Sequence, residues 1–227
     1  MLVYRNVGAS YGGFQALKEV SFEVREGERV GIFGHNGAGK TTLLRCGIGD
    51  VDEVTGAVTY RGEPIVRGDV HRNARRGVGF VPQGHNVFRE LSVAQNLTIA
   101  GLLHDPRWVE EVYALFPVLK ERRAQAASSL SGGQQQMLAL GMALMTRPSI
   151  LLLDEPCTGL APIVVRDVLQ SLRSINERAR TTIVLVEQNV QAALREIERA
   201  IVLKTGRVIF DGPSGELAAK EDLWEWF

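Results

Sequence analysis

The sequence predicts an α/β fold organised around a mainly parallel β-sheet. Short β-branched runs alternate with helix-patterned segments along the chain, which is the signature of strand–helix–strand units. A glycine-rich stretch, Gly34 to Thr41, lies between one such run and one such segment. The stretch from about Gly84 to Arg147 contains no convincing strand and reads as a helical insertion into the alternation.

Taken in order, Val20 to Val24 alternates apolar and polar residues, as a half-buried strand does. Val30 to Phe33 is apolar throughout and runs into glycines, which suits a strand covered on both faces. A helical pattern follows Lys40. Val78 to Val81, Ile150 to Leu153 and Ile183 to Val186 read as further buried strands. Helical patterns run from about Ser131 to Met145 and from about Pro162 to Arg178, with Pro162 well suited to a first helical position. Ile201 to Leu203 and Val208 to Phe210 flank Lys204-Thr205-Gly206, a hairpin turn. No repeat, low-complexity tract or linker interrupts the chain. The expected organisation is one domain over 1–227, with a core lobe at about 1–83 and 148–227 and a helical lobe at about 84–147.

Composition narrows the functional classes. The 227 residues carry 26 Lys+Arg and 26 Asp+Glu, so the basic excess of a nucleic-acid binder is missing. Hydrophobic residues at 45% argue for a packed core and against disorder. Two cysteines, Cys46 and Cys157, are too few for a disulfide framework and too isolated for a zinc site, so a reducing compartment is the simpler reading. No signal peptide is visible, and Ile150 to Leu153 falls far short of the ~20 apolar residues that span a bilayer. A soluble, intracellular chain is expected, held at any membrane by something else.

Gly34-His35-Asn36-Gly37-Ala38-Gly39-Lys40-Thr41 has the spacing of a P-loop, set between a strand and a helix as the mechanism requires. Glycines let backbone N–H groups curl around phosphate oxygens, and the following helix turns its N-terminus to the same anion. Lys40 is expected to reach the β- and γ-phosphates of a nucleotide, and Thr41 to ligate Mg²⁺ through its hydroxyl; Thr42 completes the loop. Asp154 ends an apolar strand and Glu155 follows it. Alone this pair is common in any α/β protein. Beside Lys40 it reads as a Mg²⁺-binding aspartate and a general base that polarises the attacking water.

Leu130-Ser131-Gly132-Gly133-Gln134 opens a second helix, and Ser131 and Gln134 have capping-box spacing. The two glycines leave its first turn bare, so an anion could approach the backbone. Two anion-binding helix starts against one P-loop lysine suggest that the second serves a nucleotide held by another subunit.

With these residues in hand, the chain resembles the nucleotide-binding subunits of ABC transporters over essentially its whole length. The resemblance implies a P-loop NTPase with a RecA-like core, an antiparallel β-subdomain and an inserted α-helical subdomain. It implies ATP and Mg²⁺ as cofactors, and a head-to-tail pair of ATPase subunits with two ATPs sandwiched between P-loop and signature motif. It also implies that Tyr11 stacks on adenine. Gln83, after Phe80-Val81-Pro82, would sense Mg²⁺ and the lytic water, and lead into the lobe where membrane subunits dock.

Two positions depart from the general family pattern. Gln188 stands where a histidine usually contacts the γ-phosphate, and Ala161 where a dimer-contact aspartate is usual. Together with Gln135-Gln136-Met137-Leu138, these are similar to one ATPase subunit of branched-chain amino-acid importers, in which both departures are habitual. The implied function is ATP hydrolysis powering such an importer, with permease subunits, a second ATPase subunit and, indirectly, a solute-binding protein as partners. The implied location is peripheral, on the cytoplasmic face of the cell membrane. Urea or amide importers are an alternative solute class. A soluble ABC-type ATPase acting on DNA or ribosomes is a rival, but such relatives usually carry coiled coils or two ATPase domains. A regulatory module without catalysis is disfavoured by Lys40 and Glu155, although Gln188 leaves room for it.

Remaining features receive plainer readings. His35, His71, His85 and His104 show no metal-ligand spacing and are expected at the surface or in loops. Met137, Met142 and Met145 are expected as core filler. Arg72, Arg75 and Arg76 read as a solvated loop, and Trp224, Trp226 and Phe227 as an aromatic end packing on the body or on a partner.

Overall fold

A computed structural model of the protein describes residues 1–84 and 86–220; His85, Trp224, Trp226 and Phe227 therefore lie outside the described residues. Two sheets and a set of helices are built along the chain. β1 (Leu2–Tyr11) and β2 (Phe14–Val24) form a hairpin, followed by β3 (Arg29–Phe33), α1 (Lys40–Ile48), β4 (Glu53–Tyr60), β5 (Glu63–Pro64), α2 (Val70–Arg75) and β6 (Val78–Val81). Helices α3 (Val93–Ala100), α4 (Val109–Leu115), α5 (Pro117–Glu121) and α6 (Gly132–Leu144) fill the interval before β7 (Ile150–Asp154). Then come α7 (Pro162–Ala179), β8 (Thr182–Val186), α8 (Val190–Ala193), β9 (Arg199–Lys204), β10 (Arg207–Pro213) and α9 (Ser214–Ala218).

The larger sheet has the order β10-β9-β3-β8-β7-β6. Strands β6, β7, β8, β3 and β9 run parallel, and β10 returns antiparallel from the Thr205-Gly206 turn. Its central strands read as continuous apolar runs because each face covers a different core. Leu151, Leu153, Ile183 and Leu185 point to the side of the helical insertion and α7. Ile150, Leu152, Val184 and Val186 point to the other side, toward α1 and the smaller sheet. That smaller sheet, in the order β2-β1-β4-β5, is wholly antiparallel.

Helix α7 buries Val165, Val168, Leu169, Leu172 and Ile175, a stripe at helical spacing. Pro162 stands in its first turn. Helix α6 is buried nearly all round, and Gly141 lets its neighbours close in: a Cβ there would stand 2.9 Å from Val112 Cγ1 and 3.3 Å from Leu97 Cδ2. Met145 is buried, with Met137 and Met142 packed at the edge of the same core. Between β6 and β7 the described residues form helices and short turns, joined by one isolated bridge from Ser92 to Ala126.

Strands β1 and β4 were not read individually from the sequence. Register shifts after Tyr4, Val7 and Ala9 in β1 break the period-two alternation that marks a strand. The basic run is a correction. Arg72 and Arg75 lie in α2, and Arg76 is anchored instead of solvated. Its guanidinium sits 5.8 Å from the Tyr60 ring centroid and donates to Pro64 O at 2.8 Å. Both cysteines are buried and free, and burial pushes the Cys46 thiol up to about 12. Among the described residues no helix is long and apolar enough to cross a membrane.

Candidate active site

The parallel strands deliver their following turns to one end of the larger sheet, and these turns build a cleft of about 370 Å³. Its lining includes Tyr11, Phe14, Asn36, Gly37, Gly39, Lys40, Thr41, Thr42, Gln83, Glu155 and Gln188. Crevices beyond the carboxyl ends of parallel strands are where open α/β sheets bind ligands.

The loop from β3 to α1 needs glycine for two different reasons. Gly34 has φ of 146°, and a Cβ there would stand 2.2 Å from Leu203 O. Gly37 has φ of 82° with nothing within 4 Å of a Cβ, so its backbone lies bare toward the cleft. Ala38 is buried beneath the loop, whereas His35 and Asn36 are exposed on it. Gly39 precedes α1 in a left-handed conformation, and no side chain caps that helix start. The unpaired N–H groups there favour an anion. Lys40 is buried, and its Nζ donates to Gly34 O at 2.8 Å and His35 O at 3.0 Å. Burial lowers the Lys40 pKa, against the opposing pull of the Glu155 and Asp154 charges.

Asp154 closes β7 at 3% exposure, and Thr41 Oγ1 donates to its Oδ1 at 3.1 Å. Burial raises the Asp154 pKa, more than the Thr41 hydrogen bond lowers it. These are two hard oxygen donors side by side at the phosphate loop. Mg²⁺ commonly takes one or two carboxylates plus phosphate oxygens and water, so the pair fits that ion. Among the described residues there is no cluster of three or more His, Cys, Asp or Glu side chains that could hold a metal by itself.

Glu155 adopts φ of 48°, a left-handed backbone that a non-glycine residue rarely takes, while its N–H donates to Val186 O at 2.9 Å. Its Oε2 accepts from Gln188 Nε2 at 2.7 Å, Gln83 Nε2 at 2.9 Å and Thr158 Oγ1 at 3.2 Å. All three side-chain donors to this buried carboxylate are neutral, and no ammonium is hydrogen-bonded to it among the described residues.

Tyr11 and Phe14 face each other across the Gly12-Gly13 turn, directly paired in register, and both reach the cleft mouth. Phe14 escaped the sequence reading, as did Thr158. The signal for Phe14 was present in Tyr11-Gly12-Gly13-Phe14, because a two-residue hairpin turn sets its flanking residues opposite each other on one face.

Ser131 caps α6 with a complete capping box: its backbone N–H donates to Gln134 Oε1 at 3.1 Å, and Gln134 N–H donates to Ser131 Oγ at 3.4 Å. Gly132 is partly exposed at this helix start, whereas Gly133 is buried. A Cβ on Gly133 would stand 2.1 Å from Val164 Cγ1, so close packing on α7 is itself a reason for glycine. None of Ser131, Gly132, Gly133 or Gln134 lines the cleft that holds Lys40 and Glu155.

Comparison with known proteins adds a second line of argument. Residues 17–158 match the ABC transporter family. The chain is 43% identical to the high-affinity branched-chain amino acid transport ATP-binding protein BraG of Pseudomonas aeruginosa, covering 92% of this chain and 91% of that one. It is 37% identical to the phosphonates import ATP-binding protein PhnC of Caulobacter vibrioides, over 96% and 89% of the two chains. A probable branched-chain amino acid transport ATP-binding protein, LivF of Archaeoglobus fulgidus, is 34% identical over 97% and 95%. Among solved structures, the dimeric post-hydrolysis state of the ATP-binding cassette MJ0796, bound to ADP and Pi, superposes with a TM-score of 0.81 at 28% identity, covering 94% of this chain and 99% of that one. The phosphate loop, Glu155 and the glutamines thus meet in a cleft on a cassette fold, with Asp154 tied to it through Thr41, and the chain belongs to the ABC transporter family, as an ATP-binding, ATP-hydrolysing subunit.

Proposed function

We propose that this chain drives an importer for branched-chain amino acids, docked peripherally on permease subunits at the cytoplasmic face of the cell membrane. The convergence of Gln83, Gln188 and Thr158 on Glu155, beside Lys40 and the Thr41–Asp154 pair, carries the hydrolytic part of this reading. The 43% identity to BraG over nearly the whole chain supports the importer assignment.

In this reading the loop amides from Gly34 to Gly39, the start of α1 and Lys40 hold the β- and γ-phosphates of ATP. Thr41, Asp154 and Gln83 would hold Mg²⁺, which when bound offsets the charge on the phosphate oxygens. Glu155 accepts the proton of the attacking water as the water oxygen closes on the γ-phosphorus, while the bond from that phosphorus to the β–γ bridging oxygen breaks and leaves ADP and phosphate. Gln83 and Gln188 keep that carboxylate aimed. Gln188 donates through its amide and cannot carry the proton itself. Tyr11 stacks on the adenine. Ser131, Gly132, Gly133 and Gln134 serve the nucleotide held by a second ATPase subunit, which agrees with their absence from the lining of this chain's own cleft. The core lobe at about 1–83 and 148–227 carries the nucleotide, and the helical lobe at about 84–147 meets the permease. A solute-binding protein belongs to the assembly indirectly, and nucleic acid does not.

The solute never touches an ATPase subunit, so its identity rests on likeness alone. The phosphonate-import relative, at 37% identity, names the competing solute class. Affinity purification of the full chain from native membranes tests the assignment. Branched-chain permease subunits and a second ATPase subunit are expected to accompany it. Recovery of phosphonate permease subunits, ribosomes or DNA in their place would overturn it.

A further inference from the structure

Glu187 is buried at the end of β8, at 3% exposure, and no ion pair reaches it among the described residues. Burial raises its pKa, and only backbone and thiol hydrogen bonds pull the other way. A carboxylate kept in such a place without a cation is held by what it bonds, and its two oxygens bond different turns. Oε1 accepts the Cys157 N–H at 2.8 Å. Oε2 accepts the Gln188 N–H at 3.2 Å, with the Asn189 N–H farther off at 3.5 Å.

The first of these turns follows β7 and carries Glu155 and Thr158. The second follows β8 and carries Gln188. We propose that Glu187 is a positioning residue for hydrolysis, clamping these two turns together so that the Gln188 carboxamide and the Thr158 hydroxyl both meet Glu155 Oε2. The inference rests on the reading of Glu155 as general base. Glutamate suits the task chemically. N–H donors approach each of its oxygens, and a carboxamide offers only one acceptor, so glutamine would turn an NH₂ group against one of the two turns. Outside the clamp, the hydrogen bonds that join these turns among the described residues are Glu155 N–H to Val186 O and the Gln188–Glu155 side-chain bond itself.

A double-mutant cycle on the full chain tests this, with kcat and nucleotide affinity measured separately. Glu187→Ala is expected to lower kcat about 10- to 10²-fold, the usual consequence of a displaced reacting group, with ATP affinity within about twofold of wild type. In a Gln188→Ala background the same substitution should lower kcat by less than about threefold, because residues acting as one unit are not additive. An unchanged kcat in Glu187→Ala, losses that multiply in full, or a parallel loss of nucleotide affinity would each overturn the proposal. Should Glu187→Ala not fold, Glu187→Gln carries the cycle, and failure of both to fold would assign Glu187 to stability alone. Glu155→Gln is measured alongside. Normal turnover there would remove the general-base reading, whereas loss there with normal turnover in Glu187→Ala would remove only the clamp.

Discussion

Under the proposed general-base role, replacing Glu155 by glutamine separates proton abstraction from everything else this carboxylate does. Oε2 is the oxygen that receives Gln188, Gln83 and Thr158, at 2.7, 2.9 and 3.2 Å. A glutamine carboxamide can keep its oxygen at that position and accept all three donors, while its NH₂ takes the place of Oε1. The reverse orientation sets an NH₂ against three donors, so the amide has one stable choice. Shape and volume are preserved at a site only 7% exposed, and no cavity opens. Nucleotide affinity is therefore expected within about twofold of wild type, since Lys40, the loop amides and Tyr11 are untouched. Turnover loses the general base, worth about 10²–10⁴ in rate or ~2.7–5.5 kcal/mol of barrier. Phosphate release at saturating ATP measures turnover, and equilibrium titration with a fluorescent nucleotide measures affinity. A variant whose kcat stays within about fivefold of wild type would refute the assignment of Glu155. So would one whose affinity falls as far as its rate.

Four further outcomes are expected. Burial raises the Asp154 pKa, so its protonated form favours the folded chain; that contribution is present below the ordinary aspartate range and is lost as pH rises through the raised value. Asp154→Asn should therefore raise nucleotide-free stability at neutral pH, with the gain vanishing in acid, while hydrolysis falls; thermal unfolding across pH checks the sign. Tyr11→Ala should weaken ATP binding by about 1–3 kcal/mol, the worth of one base–aromatic stack, and titration with ATP and with a triphosphate lacking the base separates stacking from general damage. Gly133→Ala must push Val164 aside and should cost about 1–3 kcal/mol in chemical denaturation, with a smaller loss showing that α7 yields. Gln188 has no proton to titrate, so the pH dependence of kcat should lack a histidine limb near about pH 6.5, and Gln188→His should introduce one.

Much of the fold was legible because its strands are short apolar runs whose alternate residues feed two cores. Ile150 to Leu153 is such a run: Leu151 and Leu153 enter one core, and Ile150 and Leu152 the other. The helix caps were equally local: Pro162 in the first turn of α7, and Ser131 with Gln134 at α6, depend on neighbours within one turn. β1 was not legible, because bulges interrupt its alternation and its partners, β2 and β4, are separated from each other by β3 and α1. Arg76 was misjudged for a related reason. Its guanidinium is taken up by Tyr60 and Pro64, residues whose approach depends on the smaller sheet being in place.

By itself, then, the sequence determined the phosphate loop, the acid pair, the capped α6 and the alternation that sorts strands from helices, since each is written in residues a few positions apart. The tertiary structure alone decided which of these share a cleft. It drew Gln83, Thr158 and Gln188 onto one carboxylate oxygen of Glu155 and paired Phe14 with Tyr11 at the mouth. It left the Ser131 helix start outside that lining and tied two turns through the buried Glu187. Those outcomes depend on strand order and on the burial of charge, which arise only when distant segments pack and exclude water.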